Sequence, residues 1–431
     1  MPEKRERKHG HVNGHLDGHH AGNGHAPNGQ PLNGHGDEPL AELAELADTA
    51  GAEVTASVIQ KRQAIHPGTF VGKGFAEQLG RLAEEHRADV LISDDDLSPG
   101  QAFNLEKITG RRVIDRSELI LDIFASRART HQAKLQVELA QLEYALPRLK
   151  RLWSHLERQK GGIGLRGPGE KQIEVDRRIV KHKIQELREN LRRIQERKER
   201  EVKGRAGEFA ASIVGYTNAG KSTLMNALAG AEQYVEDKLF ATLDTKTSVV
   251  EVKKGRRILL SDTVGFIRKL PHHLVASFHA TLEEVSQADL LLHVVDVSHP
   301  GALHQIESVN DVLRRIGAVS KPTLMVFNKV DRLGAPGEVE YWRRLYPRSV
   351  AVSALRGAGL EDLREALSEI AAAGSHETTL ALAAGNGKAI AFVHERGEVI
   401  SEHYDGDLVQ LRFRMNAKDR GSLAAILGHA L

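Results

Sequence analysis

Gly215-Tyr-Thr-Asn-Ala-Gly-Lys-Ser-Thr223 is the stretch on which the fold turns. The apolar run Ala211-Ser-Ile-Val214 precedes it and the helix-forming Leu224-Met-Asn-Ala-Leu-Ala229 follows it. The pattern G-x-x-x-x-G-K-S therefore lies between an expected strand and an expected helix. Gly215 and Gly220 let the backbone curl. The N–H groups from Gly215 through Tyr216, Thr217, Asn218, Ala219, Gly220, Lys221, Ser222 and Thr223 can then surround phosphate oxygens at the positive end of the helix. Lys221 is expected to reach the β- and γ-phosphates, and the Ser222 hydroxyl to ligate Mg2+. A single match of this kind arises by chance in long sequences, so its weight depends on the company it keeps along the chain.

Three further motifs stand downstream in order, each at the end of an apolar run. Asp262, Thr263, Val264 and Gly265 end Arg257-Ile-Leu-Leu-Ser261. An Asp at that strand tip can hold Mg2+ through water, and the Gly265 N–H can sense a γ-phosphate. Asn328, Lys329, Val330 and Asp331 end Thr323-Leu-Met-Val-Phe327. The two Asp331 oxygens can accept the N1–H and 2-amino protons of guanine, an arrangement adenine does not present. Asn328 is expected to tie this loop to the phosphate loop, with the Lys329 stem over the base. Ser353, Ala354 and Leu355 follow Ser349-Val-Ala-Val352 and offer backbone N–H groups to the guanine O6. Together the four predict a P-loop GTPase domain, a mostly parallel sheet flanked by helices, that binds GTP and GDP and hydrolyses GTP.

One element of that chemistry is absent. Many small GTPases carry a Gln after the Asp-x-x-Gly to orient the attacking water. Phe266 and Ile267 stand here and cannot hydrogen-bond water, so slow turnover is expected until a partner assists. Asn218 resembles the Asn of GTPases that recruit K+ beside the phosphates; as a turn-favouring residue it would need no such role. A γ-phosphate-sensing Thr should lie between the phosphate loop and Asp262. Thr242, Thr245 and Thr247 are available, and spacing alone does not choose among them.

Upstream, Leu135, Leu139, Leu142, Leu146, Leu149, Trp153 and Leu156 alternate at four and three residues. Ile173, Val180, Ile184, Leu187, Leu191 and Ile194 repeat the spacing, which is the seam of two helices packed lengthwise. Five glycines and Pro168 in the stretch 161–169 interrupt helix. An antiparallel helical hairpin with a glycine-rich tip is expected, with Pro147 marking a kink or a new helix start. From Arg148 to Arg205 there are 19 Lys and Arg against nine Asp and Glu, a net +10 in a chain of net +2. A charge run is usually only a solvated helix face. A localised basic arm with a narrow tip, attached to a GTPase, suits insertion among RNA phosphates. Gly161, Gly162, Arg166, Gly167, Gly169 and Lys171 are the expected RNA contacts.

Several stretches of this chain are long and specific enough to carry a family resemblance. They are Gly161-Gly-Ile-Gly-Leu-Arg-Gly-Pro-Gly-Glu170, Gln172-Ile-Glu174, Asp176-Arg-Arg178 and Leu121-Asp-Ile-Phe-Ala-Ser-Arg-Ala-Arg-Thr130. Lys134-Leu-Gln-Val-Glu-Leu-Ala140, Asp262-Thr-Val-Gly-Phe-Ile-Arg-Lys-Leu-Pro271, Phe70-Val-Gly-Lys-Gly74 and Asn104-Leu-Glu106 complete the set, which together resembles the HflX family of ribosome-associated, Obg-related GTPases. Lys171 departs from the small hydroxyl residue usual in the family. The resemblance favours Thr242 as the switch ligand to Mg2+, within Phe240, Ala241, Thr242, Leu243 and Asp244. Lys221, Asn218, Thr242 and Gly265 are then the residues expected to carry hydrolysis. It also implies binding to the large ribosomal subunit and ribosomal RNA, and splitting of stalled or idle ribosomes.

With no Cys, disulfides and thiolate metal sites are excluded, which fits a reducing cytoplasm. No signal or membrane-spanning run is visible, so a cytoplasmic protein without membrane insertion, and a monomer, is expected. Residues 1–38 carry seven His and three Asn-Gly-His triplets, and are expected to be a disordered tail. Such a tail admits a nickel-delivery GTPase as an alternative, and ribosome assembly on pre-subunits is another. The remaining organisation is a small α/β unit over 39–125 with strands at Val54–Ile59, Thr69–Val71, Val90–Ile92 and Val113–Ile114. The basic hairpin covers 126–205, the GTPase domain 206–373, and a small α+β module 374–431.

Overall fold

The computed structural model describes residues 40–149, 168–204, 209–230, 239–240, 246–253, 256–269, 284–373, 376–415 and 417–428. Its first unit contains α1 (Ala41–Thr49), α2 (Lys73–Glu85), β1 (Val90–Ser93), α3 (Pro99–Thr109), β2 (Arg112–Asp115), α4 (Arg116–Arg127) and α5 (His131–Ala145). The strands pair in parallel, Val90 opposite Arg112 and Ser93 opposite Asp115. Local chemistry sets the helix starts. Ser98 and Gln101 form a reciprocal cap on α3, Asp115 caps α4 and Thr130 caps α5.

Two expected strands are absent. Val54–Ile59 joins no ladder among the described residues, and its apolar side chains are exposed. β-branched composition favours a strand only where an edge is available to pair with it. At Thr69–Val71 the backbone of Phe70 is left-handed, φ 64°, which breaks extended structure; a single bridge to His66 closes a tight loop instead.

The heptad seam is present. Leu135 and Leu139 of α5 pack with Ile184, Leu187 and Leu191 of α6 (Pro168–Gly204), flanked by Leu142, Leu146, Val180 and Ile194. Pro147 lies in a single 3-10 turn, Leu146–Arg148. Trp153 and Leu156 lie outside the described residues. Pro168 and Gly169, expected in the tip loop, are the first two residues of α6; a first helical position tolerates Pro because its N–H has no intrahelical partner.

The GTPase sheet contains β3 (Ala210–Gly215), β4 (Lys246–Lys253), β5 (Arg256–Asp262), β6 (Leu290–Asp296), β7 (Thr323–Asn328) and β8 (Ser349–Ala351). Their order is β4-β5-β3-β6-β7-β8, and only β4 runs antiparallel to its neighbour. The flanking helices are α7 (Lys221–Ala229), α8 (Ala302–Arg315), α9 (Pro336–Leu345) and α10 (Leu360–Ala373). The central strands β3, β6 and β7 are buried on both faces, as parallel strands require, while the antiparallel edge strand β4 alternates buried and exposed residues. One core joins Ile213 and Leu260 to Leu224 of α7 and Leu363 of α10. The other joins Val214 and Leu291 to Val309 of α8 and to Leu46, Ile120 and Phe124 of the first unit. The first unit and the GTPase sheet therefore share a hydrophobic core.

The last module has β9 (His376–Ala383), α11 (Gly387–Arg396), β10 (Glu398–Asp405), β11 (Leu408–Met415) and α12 (Ala417–Leu427), with sheet order β10-β11-β9. Val409, Leu411, Phe413 and Met415 face Ala389, Val393 and Leu423. The apolar run Ala389–Val393, whose composition suits a strand of this module, belongs to a helix capped by Asn386. Arg256 of β5 binds the Ser368 carbonyl at 2.7 Å and pairs with Glu398, tying the module to the GTPase sheet.

Candidate functional site

The parallel strands end on one side of the sheet, where α/β folds bind ligands. Gly215, Asp262, Asp296 and Asn328 are the last residues of β3, β5, β6 and β7. The opening glycine is forced by packing: a Cβ on Gly215 would lie 2.3 Å from the Val294 carbonyl oxygen. Gly220 has φ 90°, and a Cβ there would meet Asn328 Nδ2 at 2.2 Å. That contact reflects how the loops are joined. Asn328 Nδ2 donates to the Ala219 carbonyl at 2.9 Å, and its Oδ1 accepts from Ala354 N–H at 3.0 Å. One side chain thus links the phosphate loop to the Ser353 loop.

Lys221 opens α7 and is buried, its Nζ donating to the Tyr216 carbonyl at 2.6 Å. Burial pushes its ammonium down to about 8, against the opposing pull of the Asp262 carboxylate. Ser222 Oγ donates to Asp262 Oδ2 at 2.6 Å. Burial shifts the Asp262 carboxyl upward, and its Oδ1 is buried with no hydrogen-bond partner among the described residues. An orphaned carboxylate oxygen beside a serine hydroxyl is a donor set that fits a hydrated Mg2+.

The Asp-Thr-Val-Gly stretch lies against the phosphate loop. Thr263 Oγ1 donates to the Ile213 carbonyl at 2.7 Å; Thr217 N–H donates to the Phe266 carbonyl at 2.8 Å and Phe266 N–H to the Gly215 carbonyl at 3.1 Å. Gly265 is the point of closest approach, since a Cβ would come 2.9 Å from Thr217 Cα and 3.0 Å from Lys221 Nζ. Val264 is buried nearby. Phe266 and Ile267, read from sequence only as residues unable to orient water, are each 1% exposed and belong to the core shared with the first unit. Asn218 is exposed with φ 59°, a left-handed conformation that Asn tolerates better than most residues. Thr223 follows in the first turn of α7.

On the base side, Lys329 has φ 64° and its Nζ pairs with Asp296 at 2.7 Å. Val330 N–H reaches the Val352 carbonyl at 3.4 Å. Asp331 Oδ1 accepts from Ser353 Oγ at 2.6 Å, a bond that holds the carboxyl below its usual range, and Oδ2 lies 3.6 Å from Arg356 Nε. Each oxygen keeps a further lone pair for a ligand. Leu355 points outward, 78% exposed. Sequence reasoning missed the Ser353 hydroxyl, having considered only backbone in that loop. It also missed His293 of β6, fully buried and pushed down to about 4 chiefly by burial, hence neutral at pH 7.

Ala241, Thr242, Leu243, Asp244 and Thr245 lie outside the described residues. Phe240 does not: it is buried, with φ 54°, its ring edge-on to Phe124 of α4 at 4.7 Å. Thr247 stands in β4, its hydroxyl 2.9 Å from Ser261 Oγ, an ordinary strand pairing. Among the expected RNA contacts, Gly161, Gly162, Arg166 and Gly167 lie outside the described residues, while Gly169 and Lys171 fall in the first turn of α6. Among the described residues no helix is long and apolar enough to cross a membrane.

A glycine-rich turn between a buried strand and a helix, with an Asp-x-x-Gly and an Asn-Lys-x-Asp converging on it, defines a P-loop GTPase. Family models described as GTP-binding GTPase N-terminal, GTP-binding GTPase Middle Region and 50S ribosome-binding GTPase match residues 37–125, 127–205 and 210–329. GTPase HflX of Caldanaerobacter subterraneus is 45% identical over 86% of this chain and 85% of its own length. That of Magnetococcus marinus is 46% identical over 86% and 87%, and that of Escherichia coli 44% over 89% and 91%. A GTP-binding protein from Sulfolobus solfataricus, solved with GDP, is 27% identical over 77% of this chain and 95% of its own, at TM-score 0.41. The chain belongs to the HflX family of GTPases: it binds guanine nucleotides and hydrolyses GTP.

Proposed function

We propose that this GTPase binds the large ribosomal subunit and splits stalled or idle ribosomes, its basic helical hairpin entering ribosomal RNA. The observation that carries this reading is the charge on α6. Lys183, Arg192 and Arg193 pair with carboxylates one turn away. Arg177, Arg178 and Lys181, nearer the Gly161–Gly169 end, have no carboxylate partner among the described residues. Unpaired cations on a stiff helix are available to phosphates, whose neutralisation releases counterions. The matching 50S ribosome-binding GTPase model supports the same reading.

Within the nucleotide site, Lys221 and the N–H groups of residues 215–223 take the phosphates, Gly265 N–H the γ-phosphate, and Asp331 with Ala354 and Leu355 N–H the guanine. Ser222 and Thr242 would ligate Mg2+ and Asp262 would hold it through water; the ion would neutralise charge developing on the phosphates. The units 39–125, 126–205, 206–373 and 374–431 are the proposed domains, and Gly161, Gly162, Arg166, Gly167, Gly169 and Lys171 the proposed RNA contacts.

Sedimentation of the protein with ribosomes and a non-hydrolysable GTP analogue tests the reading. Migration with mature large subunits and loss of intact ribosomes are expected. Association only with immature particles would move the function to ribosome assembly. Replacing Gly161–Gly169 by a short Gly-Ser linker should leave GTP binding and basal hydrolysis intact and lower splitting sharply. The residual binding should keep most of its salt dependence, because most cations lie on the helical arms. Splitting at the normal rate would reduce the tip to a connector.

Activation follows from the missing Gln. Hydrolysis should be slow alone and rise strongly with large subunits. If Asn218 helps recruit K+, turnover should be faster in potassium than in sodium. Equal rates in both salts would leave Asn218 a turn residue.

A further inference from the structure

Tyr216 follows the opening glycine of the phosphate loop, and its two ends face different parts of the molecule. Its carbonyl accepts from Lys221 Nζ within the nucleotide site. Its side chain is buried in the core shared with the first unit. There the hydroxyl donates to the Glu42 carboxylate of α1 and accepts from the Arg268 N–H at 2.8 Å. Burial pushes the phenol up to about 12, so it keeps the proton that the Glu42 bond uses.

Glu42 is itself held. It pairs with Arg116, 1% exposed at the start of α4, whose guanidinium also binds Asp94 at 2.6 Å. Asp94 and Asp95 in turn grip Lys269 at 2.7 and 2.6 Å. The segment after Asp-Thr-Val-Gly is thus fastened at two successive residues, Arg268 through its backbone and Lys269 through its side chain. Phe266, one strand-like step earlier, is hydrogen-bonded to the phosphate-loop backbone on both sides. Gly265 has little freedom left, and it approaches the phosphate loop so closely that a Cβ on it would come 3.0 Å from Lys221 Nζ.

We propose that Tyr216 is a positioning residue for GTP: its hydroxyl, anchored on Glu42, registers residues 266–269 against the phosphate loop and so sets where the Gly265 N–H meets a γ-phosphate. GDP lacks that phosphate and gains nothing from the contact. The inference rests on the proposed γ-phosphate role of Gly265. A preorganised donor is effective because no further ordering is needed when the ligand arrives.

Tyr216→Phe in the full-length protein keeps the ring and removes both hydroxyl bonds. Calorimetry with GDP should give a Kd within about two-fold of the unsubstituted protein. A non-hydrolysable GTP analogue should bind about 3- to 10-fold more weakly, single-turnover hydrolysis should fall by a similar factor, and the Arg268 amide should exchange faster with deuterium. Equal weakening for both nucleotides, an unchanged ratio, or faster hydrolysis overturns the proposal. If Tyr216→Phe does not fold, Lys269→Ala loosens the same segment from a half-exposed side chain. The same selective loss is expected, and an unchanged nucleotide ratio overturns the proposal. Gly265→Ala separates the two readings: analogue binding weakened there but not in Tyr216→Phe removes only the role of Tyr216.

Discussion

Asp331→Asn is expected to weaken GTP binding by about four orders of magnitude while the protein stays folded. A site built to hydrogen-bond its ligand rejects an unmatched one by factors of about 10⁴–10⁵, because buried polar groups are left unpaired. Asn replaces one acceptor with an amide donor, which then faces a guanine N–H. An aspartate is ionised near neutral pH, and the Ser353 Oγ bond favours that form further, so the native protein presents two acceptors there. Folding should be spared because the residue sits in the 3-10 turn Val330–Arg332 after β7 rather than in a core. The same argument predicts compensation: xanthine carries a carbonyl where guanine has its amino group and can accept from the new amide. Calorimetry with GTP and with xanthosine triphosphate measures both. Unchanged GTP affinity would mean that the base is read elsewhere.

Gly265→Ala should lower hydrolysis by about 10²–10³, the usual effect of removing one preorganised donor to developing negative charge. The added Cβ would lie 2.9 Å from Thr217 Cα, and a backbone atom cannot swing aside as a long side chain would. Phe266 on the next position is anchored in the core, so the stretch can yield only by moving the Gly265 amide away from the phosphate loop. GDP binding should change little, because the residue faces the position of the γ-phosphate. Single-turnover rates together with GDP and analogue affinities check this. Equal loss for both nucleotides would show that the substitution distorts the whole loop.

The motif residues were legible because their requirements are local. Gly215 and Gly220 need backbone freedom, Ser222 and Asp262 need oxygens at a strand end, and each stands beside an apolar run that declares the strand. The hairpin seam was equally legible, since a four–three spacing over many residues allows few alternatives to two helices packed lengthwise. Short apolar runs were not. Val54–Ile59 had strand composition and no edge to pair with, while Ala389–Val393 had comparable composition and became helix behind the Asn386 cap. For such runs, periodicity does not separate strand from buried helix.

What sequence by itself determined is a guanine-nucleotide chemistry and a basic two-helix arm, because both are written in residues close together along the chain. Only the tertiary structure decided how the first unit reaches the nucleotide site. Glu42, Asp94, Arg116, Tyr216 and Arg268 come from five separate stretches, and nothing in the spacing of any one of them announces the others. Phe266 illustrates the difference. As a letter it is a missing catalytic side chain; in the fold it is a core residue that fixes its neighbour Gly265 in place. The physical reason is that burial belongs to the assembled core rather than to the residue. A buried Arg116 is tolerable only once two carboxylates from distant segments have closed around it.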